Sequence, residues 1–496
     1  MLKKKLMVPI QSLALALALI SSFTACKGQA STNHASASTA VVAPPSGSAP
    51  INSYAGIVSR VAPAVVTIRS QSRVRAPQQF PFLDDPQLRE FFGDRSRNAP
   101  QQAPERIQRG LGSGVIVSSD GYILTNHHVV DGAEGIKVEL NDNRVLDAKV
   151  VGSDKPSDLA LLKINATNLP VITLGNSDGM QVGDVVLAIG NPLGIGQTVT
   201  MGIISAKGRQ TGLSNGSFED FLQTDAAINQ GNSGGALVNT NGELIGINSQ
   251  ILSPSGGSIG LGFSIPSNMA RNVMEQLQKN GKVRRGQLGI FVQPVTTDIA
   301  ASLELKDTKG VIISQVQSGS AAEKAGLKQG DVITTLNGTS VDTPNTFRNQ
   351  IANSAPGAQV QLTILRDRRE QQVSATLGEF RAEAASEENS ENTGGSEKSN
   401  TGKLGVTVEP VTPDAASQLG LAAGTQGLLV SEVDGTGPAA EAGIQRGDVI
   451  QQVNQRPVRN VAEMKAALDR SGTRPALLLI TRRGSTIFVT VTPRAN

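Results

Sequence analysis

The sequence predicts a mainly-β protein: a barrel or pair of barrels first, then a smaller strand-and-helix module written twice. Three observations carry this. Short apolar runs punctuated by Gly and Asn recur through residues 112–204, the rhythm of closed antiparallel sheets. Glycine is abundant (53) and aromatic residues make up only 3%, which favours turns and short strands over long buried helices. Finally, Ala325-Gly326-Leu327-Lys328-Gln329-Gly330-Asp331-Val332-Ile333 recurs as Ala442-Gly443-Ile444-Gln445-Arg446-Gly447-Asp448-Val449-Ile450, a fixed offset that marks two copies of one module.

At ~150 residues per domain, a chain of 496 residues holds about three domains. The boundaries read from composition are a signal segment (1–26), a flexible tether (27–50), a large β domain (51–282), a first repeat (283–380), a flexible linker (381–401) and a second repeat (402–496). A formal net charge of +3 and the absence of Trp offer neither a basic groove nor a stacking platform for nucleic acid. The single cysteine, Cys26, excludes an intrachain disulfide and a cysteine zinc cluster. With three histidines and no His-Glu-x-x-His, no metal site and no cofactor is expected.

In chain order, Lys3-Lys4-Lys5 followed by a short apolar run through Leu13 and Ile20 reads as a secretory signal, so the protein is expected to be exported to the periplasm or cell envelope. Ser22-Phe23-Thr24-Ala25-Cys26 resembles a bacterial lipoprotein box, with Phe23 where Leu, Val or Ile is usual. It leaves two outcomes, acylation of Cys26 as a membrane tether or ordinary cleavage after Gly28-Gln29-Ala30. Residues 27–50 are too poor in apolar anchors to fold. Val65, Val66 and Ile68 begin the strands. Residues 70–109 form a Pro- and Gln-rich insertion bearing Phe80-Pro81-Phe82 and Phe91-Phe92, read as a partner-contacting loop. Gly112–Val117 and Tyr122–Thr125 flank Asp120-Gly121 as a hairpin. Residues 138–140, 148–151, 159–164, 185–189 and 198–204 continue as strands. Ser267 is read as the N-cap of a helix over 267–280 that buries Met269, Val273 and Leu277 and stops at Gly281.

Gly231-Asn232-Ser233-Gly234-Gly235 places a serine among glycines, a setting that exposes its hydroxyl and lets a carbonyl approach the N–H groups of Gly231 and Ser233. A serine hydroxyl needs an imidazole to take its proton and a carboxylate to orient that imidazole. His128, Asp158 and Ser233 occur here in the order found in chymotrypsin-type enzymes.

Thr125-Asn126-His127-His128-Val129-Val130, Ser157-Asp158-Leu159-Ala160 and Gly231-Asn232-Ser233-Gly234-Gly235-Ala236-Leu237 resemble the three signature blocks of the HtrA (DegP/Do) family of envelope serine proteases. The family pattern has Asn where His127 stands, and the alignment puts the base on His128. The resemblance implies a chymotrypsin-like double β-barrel protease domain followed by two PDZ (α+β) domains. It implies a serine endopeptidase that degrades unfolded or misfolded proteins without ATP. It places Gly231 and Ser233 in an oxyanion hole, with Asn232 between them. It puts Ser249, Gln250 and Ile251 on a strand that pairs with extended substrate. Ile228 and Leu261 become walls of a pocket for small aliphatic side chains, and Arg209 stands near an activation-sensing position. The 70–109 insertion takes the place of the family's regulatory loop. Homo-oligomers, trimers or multiples of trimers, are implied. A holding chaperone or peptide-binding scaffold with secondary proteolysis is the alternative from another class.

The repeats resemble PDZ domains. Carry-over makes Leu288, Gly289 and Ile290 the loop that captures a peptide's C-terminal carboxylate, with Phe347 and Ile351 either lining the groove or packing in the core. Thr343-Pro344 and Asn460 with Glu463 begin a helix in each copy. The linker's length predicts that the second copy moves relative to the first.

Overall fold

The computed structural model describes residues 53–75, 105–191, 196–212, 218–254, 256–380, 399–401, 403–419, 421, 424–472 and 474–494. The signal segment with Cys26, the tether, residues 76–104 of the insertion and residues 381–398 of the linker lie outside the described residues.

Six strands, β1 (Val65–Arg75), β2 (Glu105–Ile116), β3 (Tyr122–Thr125), β4 (Gly135–Glu139), β5 (Val145–Asp154) and β6 (Leu159–Ile164), close into a barrel in the order β1-β2-β3-β6-β5-β4. Closure removes both edges, so every strand finds two neighbours. The Asp120-Gly121 turn joins β2 to β3, with Val115 opposite Leu124 and Gly121 at φ 105°. The insertion is shorter than its composition suggested: Arg75 pairs with Glu105, so its flanks continue β1 and β2 as a ribbon.

A second barrel follows from β7 (Val185–Gly190), β8 (Thr198–Arg209), β9 (Phe221–Thr224), β10 (Ala236–Asn239), β11 (Leu244–Ile251) and β12 (Gly262–Pro266), ordered β10-β11-β12-β9-β8-β7. Ile68, Leu124 and Leu161 of the first barrel share one buried cluster with Ile189, Ile247 and Phe263 of the second. The loops that carry His128, Asp158 and Ser233 are therefore hung on two bodies with a common core.

The helix Ser267–Asn280 seals that core with Met269, Val273 and Leu277, each worth about 1.5–3 kcal/mol of apolar burial. Gly281, at φ 67°, ends it by donating its N–H to the Leu277 carbonyl. Ser267 is not its N-cap: Pro266 takes that place, and the Ser267 hydroxyl donates to the Gly175 carbonyl at 2.9 Å. A buried hydroxyl with an acceptor in reach bonds there rather than capping its own helix.

Each repeat folds as a partly open sheet with a helix. In the first, strands run in the order 290–294, 311–316, 332–336, 359–366, 369–376. The second repeats this with 406–410, 428–433, 449–453, 476–482 and 485–491. The helix Pro344–Asn353 is capped by Thr343, and Val461–Ser471 by Asn460. In both copies an arginine forks onto the aspartate of the recurring block, Arg366 onto Asp331 and Arg482 onto Asp448. It also donates to a turn carbonyl, that of Gly326 or of Gly443.

Two expectations for the linker change. Residues 399–401 form a strand antiparallel to 406–408. The two repeats also share an apolar cluster: Val295, Ile299, Ile312 and Val332 of the first meet Leu477, Leu479 and Phe488 of the second. Gln293 adds two bonds to the Phe488 backbone. The second module is thus packed on the first rather than free of it.

Candidate active site

β3 delivers the imidazole. Thr125 at its end is fully buried and its hydroxyl donates to the Ser113 carbonyl at 2.7 Å. Asn126 is extended, and a single helical turn, His127–Val130, follows, pinned by buried Val129 and Val130.

The acid is delivered by a tight turn. After β5, Asp154 accepts from the Ser157 N–H at 3.0 Å and so caps the 3₁₀ turn Lys155–Ser157, in which Pro156 fixes one dihedral. Asp158 ends that turn at φ 54°, the left-handed region, which costs a non-glycine residue on the order of 1–2 kcal/mol. Three bonds hold it there. Its N–H donates to the Lys155 carbonyl at 3.1 Å, and its carbonyl accepts from the His127 N–H at 3.1 Å and Asn126 Nδ2 at 2.9 Å.

Its carboxylate then faces His128, with Nδ1 at 3.0 Å from Oδ1 and 2.9 Å from Oδ2, and the His128 N–H donates to Oδ1 at 3.1 Å. The Ser249 hydroxyl donates to Oδ2 at 2.8 Å. A carboxylate at Nδ1 keeps the proton there and leaves the Nε2 lone pair as a base.

Ser233 sits between Gly231 (φ 100°) and Gly234 (φ 83°). A β-carbon at Gly234 would collide with the Ser113 carbonyl and the Thr125 hydroxyl, so only glycine lets this loop approach β2 and β3. Ser113 fastens the loop by donating its hydroxyl to the Gly231 carbonyl at 2.6 Å and its N–H to the Ser233 carbonyl at 2.7 Å. The N–H groups of Gly231 and Ser233 meet no acceptor among the described residues. The Ser233 hydroxyl donates to the Ser249 carbonyl at 3.0 Å. His128 and Asp158 are therefore joined, while the Ser233 hydroxyl is held on β11.

β11 runs past the end of its partner β10. β10 pairs with it at Leu244, Gly246 and Ile247, and Gly234 and Gly235 extend the contact to Asn248. β12 covers the other side, with a register break between Asn248 and Gln250. Ser249, Gln250 and Ile251 thus carry backbone beyond the end of β10. Gln250 Nε2 donates to the Thr211 hydroxyl at 2.8 Å, and the Glu219 carboxylate accepts from the Thr211 N–H at 2.6 Å.

Other sequence candidates fall elsewhere. Ile228 is buried in the second-barrel cluster with Leu237 and Ile245, whereas half-buried Leu261 packs on the inter-barrel cluster. Arg209 is exposed and donates to Gln223 on the neighbouring strand at 3.1 Å. His127 Nδ1 lies 3.3 Å from the Ser153 hydroxyl, away from Ser233. Asn232 is buried, its N–H donating to the Asn229 carbonyl at 2.9 Å.

In the first repeat, Leu288 is core, Gly289 adopts φ 77°, and Ile290 opens an outer strand whose sheet partner is 311–316. Phe347 and Ile351 are buried in the same cluster as Leu288, which favours the packing alternative for both. The helix that carries them docks on the loop before β9: Asn345 and Asn349 both donate to the Glu219 carbonyl, at 2.9 and 2.8 Å. Beside it, burial pushes the Asp220 carboxyl up to about 6, Asp178 adding to the shift and Lys207 opposing it.

Sequence reasoning overlooked Ser113, Asp154 and the hydroxyl role of Ser249. Gly112-Ser113-Gly114 offered a signal, since glycines on both sides of a strand serine let another backbone come close.

Comparisons with known proteins agree with this arrangement. A trypsin-like peptidase domain model matches residues 112–247, and PDZ domain models match 286–377 and 396–481. The periplasmic pH-dependent serine endoprotease DegQ of Escherichia coli K12 is 43% identical over 446 residues, covering 89% of this chain and 91% of DegQ. The periplasmic serine endoprotease DegP of the same organism is 40% identical over 515 residues, covering 98% and 99%. A solved HtrA-type protease, AlgW S227A with a decapeptide, superposes with a TM-score of 0.55 at 46% identity, covering 67% of this chain and all of that one.

Proposed function

The chain belongs to the HtrA family of serine endoproteases with a trypsin-like domain and two PDZ domains, and from that premise we propose that His128, Asp158 and Ser233 perform its peptide hydrolysis. The observation that carries this is the two-oxygen seat of His128 Nδ1 on Asp158, at 3.0 and 2.9 Å, with both loops tied to the serine loop through Ser113, Thr125 and Ser249.

Reaction begins when the Ser233 hydroxyl leaves the Ser249 carbonyl and turns to His128 Nε2. A substrate strand laid along residues 249–251 would direct an N–H at that same carbonyl, so binding competes with the parked state of the nucleophile. As Ser233 Oγ bonds to the scissile carbonyl carbon, His128 takes its proton and Asp158 stabilises the imidazolium. The N–H groups of Gly231 and Ser233 receive the oxyanion. His128 then gives the proton to the leaving amine, and water repeats the sequence on the acyl-enzyme. Fluorophosphonate labelling mapped by mass spectrometry tests the assignment: modification at Ser233 alone is expected, and a different modified residue would refute it.

The substrates are unfolded or misfolded polypeptides, cleaved without ATP. Cleavage after small aliphatic residues follows from the apolar character of Ile228 and Leu261, and a peptide library cut mainly after Lys or Arg would contradict it. The first PDZ module takes C-terminal peptides at Leu288–Ile290 and modulates activity. The protein acts in the periplasm, as its relatives do, with Cys26 as a lipid anchor; among the described residues no helix is long and apolar enough to cross a membrane. Intact-mass analysis of the mature protein tests acylation. Light scattering with and without unfolded substrate tests assembly into trimers or multiples of trimers.

A further inference from the structure

We propose that Arg285 is a positioning residue for hydrolysis, holding the turn that presents Asp158; the inference rests on the triad reading above. Arg285 lies beyond both barrels, on the segment that leads from the helix Ser267–Asn280 into the first PDZ module. Its two terminal nitrogens donate to the two oxygens of Asp154 at 2.8 and 2.6 Å. Both side chains are nearly sealed from solvent, at 9% and 7% exposure. Asp154 is the residue that caps the Lys155–Ser157 turn, through the Ser157 N–H and the Ser157 hydroxyl.

A second contact closes the arrangement. The Arg285 guanidinium lies 4.7 Å from the centre of the Phe218 ring, and the Phe218 N–H donates to the Pro156 carbonyl at 2.7 Å, inside the same turn. Arg285 therefore reaches the turn by two routes, a fork on its cap and a stack on a ring bound to its backbone. The left-handed conformation of Asp158 persists only because its surroundings over-determine it. A fork on Asp154 fixes both position and direction, which a point charge does not. Without Arg285 the Asp154 carboxylate would be buried against neutral donors alone, and it would turn to water or a proton and release the cap. Arg285 touches no reacting atom; its effect reaches chemistry through the aim of Asp158 at His128.

The test measures acylation and turnover of an activated ester peptide by the full chain, carrying Arg285→Met, Arg285→Lys or Arg284→Met, with Asp158 native and with Asp158→Ala. Arg284 is the control, a neighbour in an exposed pair with Glu379. With native Asp158, Arg285→Met is expected to lower kcat about tenfold to a hundredfold with KM within about twofold, a loss typical of ångström-scale misplacement. Arg285→Lys should lose about threefold and Arg284→Met less than about twofold. In the Asp158→Ala background Arg285→Met should cost nothing further, because the group it aims is gone. Equal loss in both backgrounds, a loss carried by KM, or native kcat in Arg285→Met would overturn the proposal. If Arg285→Met lacks a cooperative thermal transition, Arg285→Lys decides: loss confined to native Asp158 supports the role, and native kcat refutes it. Asp158→Ala with native kcat would instead refute the triad reading itself.

Discussion

The two PDZ modules share one topology, yet the strand that opens each groove meets different company. In the first, strand 290–294 has 311–316 as its sheet partner, and Phe291 on it is half exposed. In the second, strand 406–410 is paired on both sides, with 428–433 and with the chain's own residues 399–401. That segment runs antiparallel to 406–408 and ends just before the Lys403–Gly405 loop, the place and direction of an added peptide strand. Their mountings differ too, since the helix of the first module sits on the protease carbonyl of Glu219 while the sheet of the second packs on the first module. A duplicated module thus acquires its role from the chain leading into it as well as from its own sequence.

What the copies share should fail alike. Arg366→Met and Arg482→Met each strand a buried aspartate, so each should destabilise its own module by about 3–5 kcal/mol in denaturant titrations of the full chain. A loss in one copy only would show that the repeat is not energetically a repeat.

The grooves should respond unequally. A β-carbon at Gly289 would meet Ser320 on a left-handed backbone, so Gly289→Val should weaken binding of a fluorescent C-terminal peptide at least about tenfold. Gly405→Val, at the matching position, should leave that affinity within about twofold. Asn400→Pro removes a donor from the covering strand and should raise the peptide stoichiometry from one to two. A second site already present in the parent would break the comparison.

The smallest effect concerns the seat of the first module, where Asp220 adjoins Glu219. Its folded-state value of about 6 lies above the ordinary carboxylate range, so the folded protein binds this proton more tightly than the unfolded chain. The resulting stabilisation is complete below about pH 4 and is lost as pH rises through 6. Asp220→Asn should therefore exceed the parent in stability at pH 7.5 by on the order of 1–2 kcal/mol, the gap closing as the pH falls to about 4. A gap that is constant with pH would reject the assignment.

Much of the fold and the site could be read from the chain because the information was local. The Asp120-Gly121 hairpin, the recurring Gly-Asp-Val-Ile block and the glycines around Ser233 each declare a backbone conformation within a few residues. The contacts that escaped notice join distant positions, as when Arg285 reaches Asp154 across 131 residues and Ser249 reaches Asp158 across 91. β9 was missed because four residues are too few for alternation to register. The docking of the second module on the first did leave a trace. Leu477-Leu478-Leu479-Ile480 is apolar without alternation, as a strand covered on both faces must be. Ser267 was misread for the opposite reason, since a cap is inferred from neighbours in sequence while its real partner, the Gly175 carbonyl, lies far along the chain.

Digestion of reduced, unfolded casein by the parent and by Ser233→Ala tests the proposal that one serine hydroxyl, served by His128 and Asp158, does the hydrolysis. Ser233→Ala is expected to lose at least about a thousandfold in rate with its folded state and peptide binding intact. Equal digestion by the two proteins would contradict it.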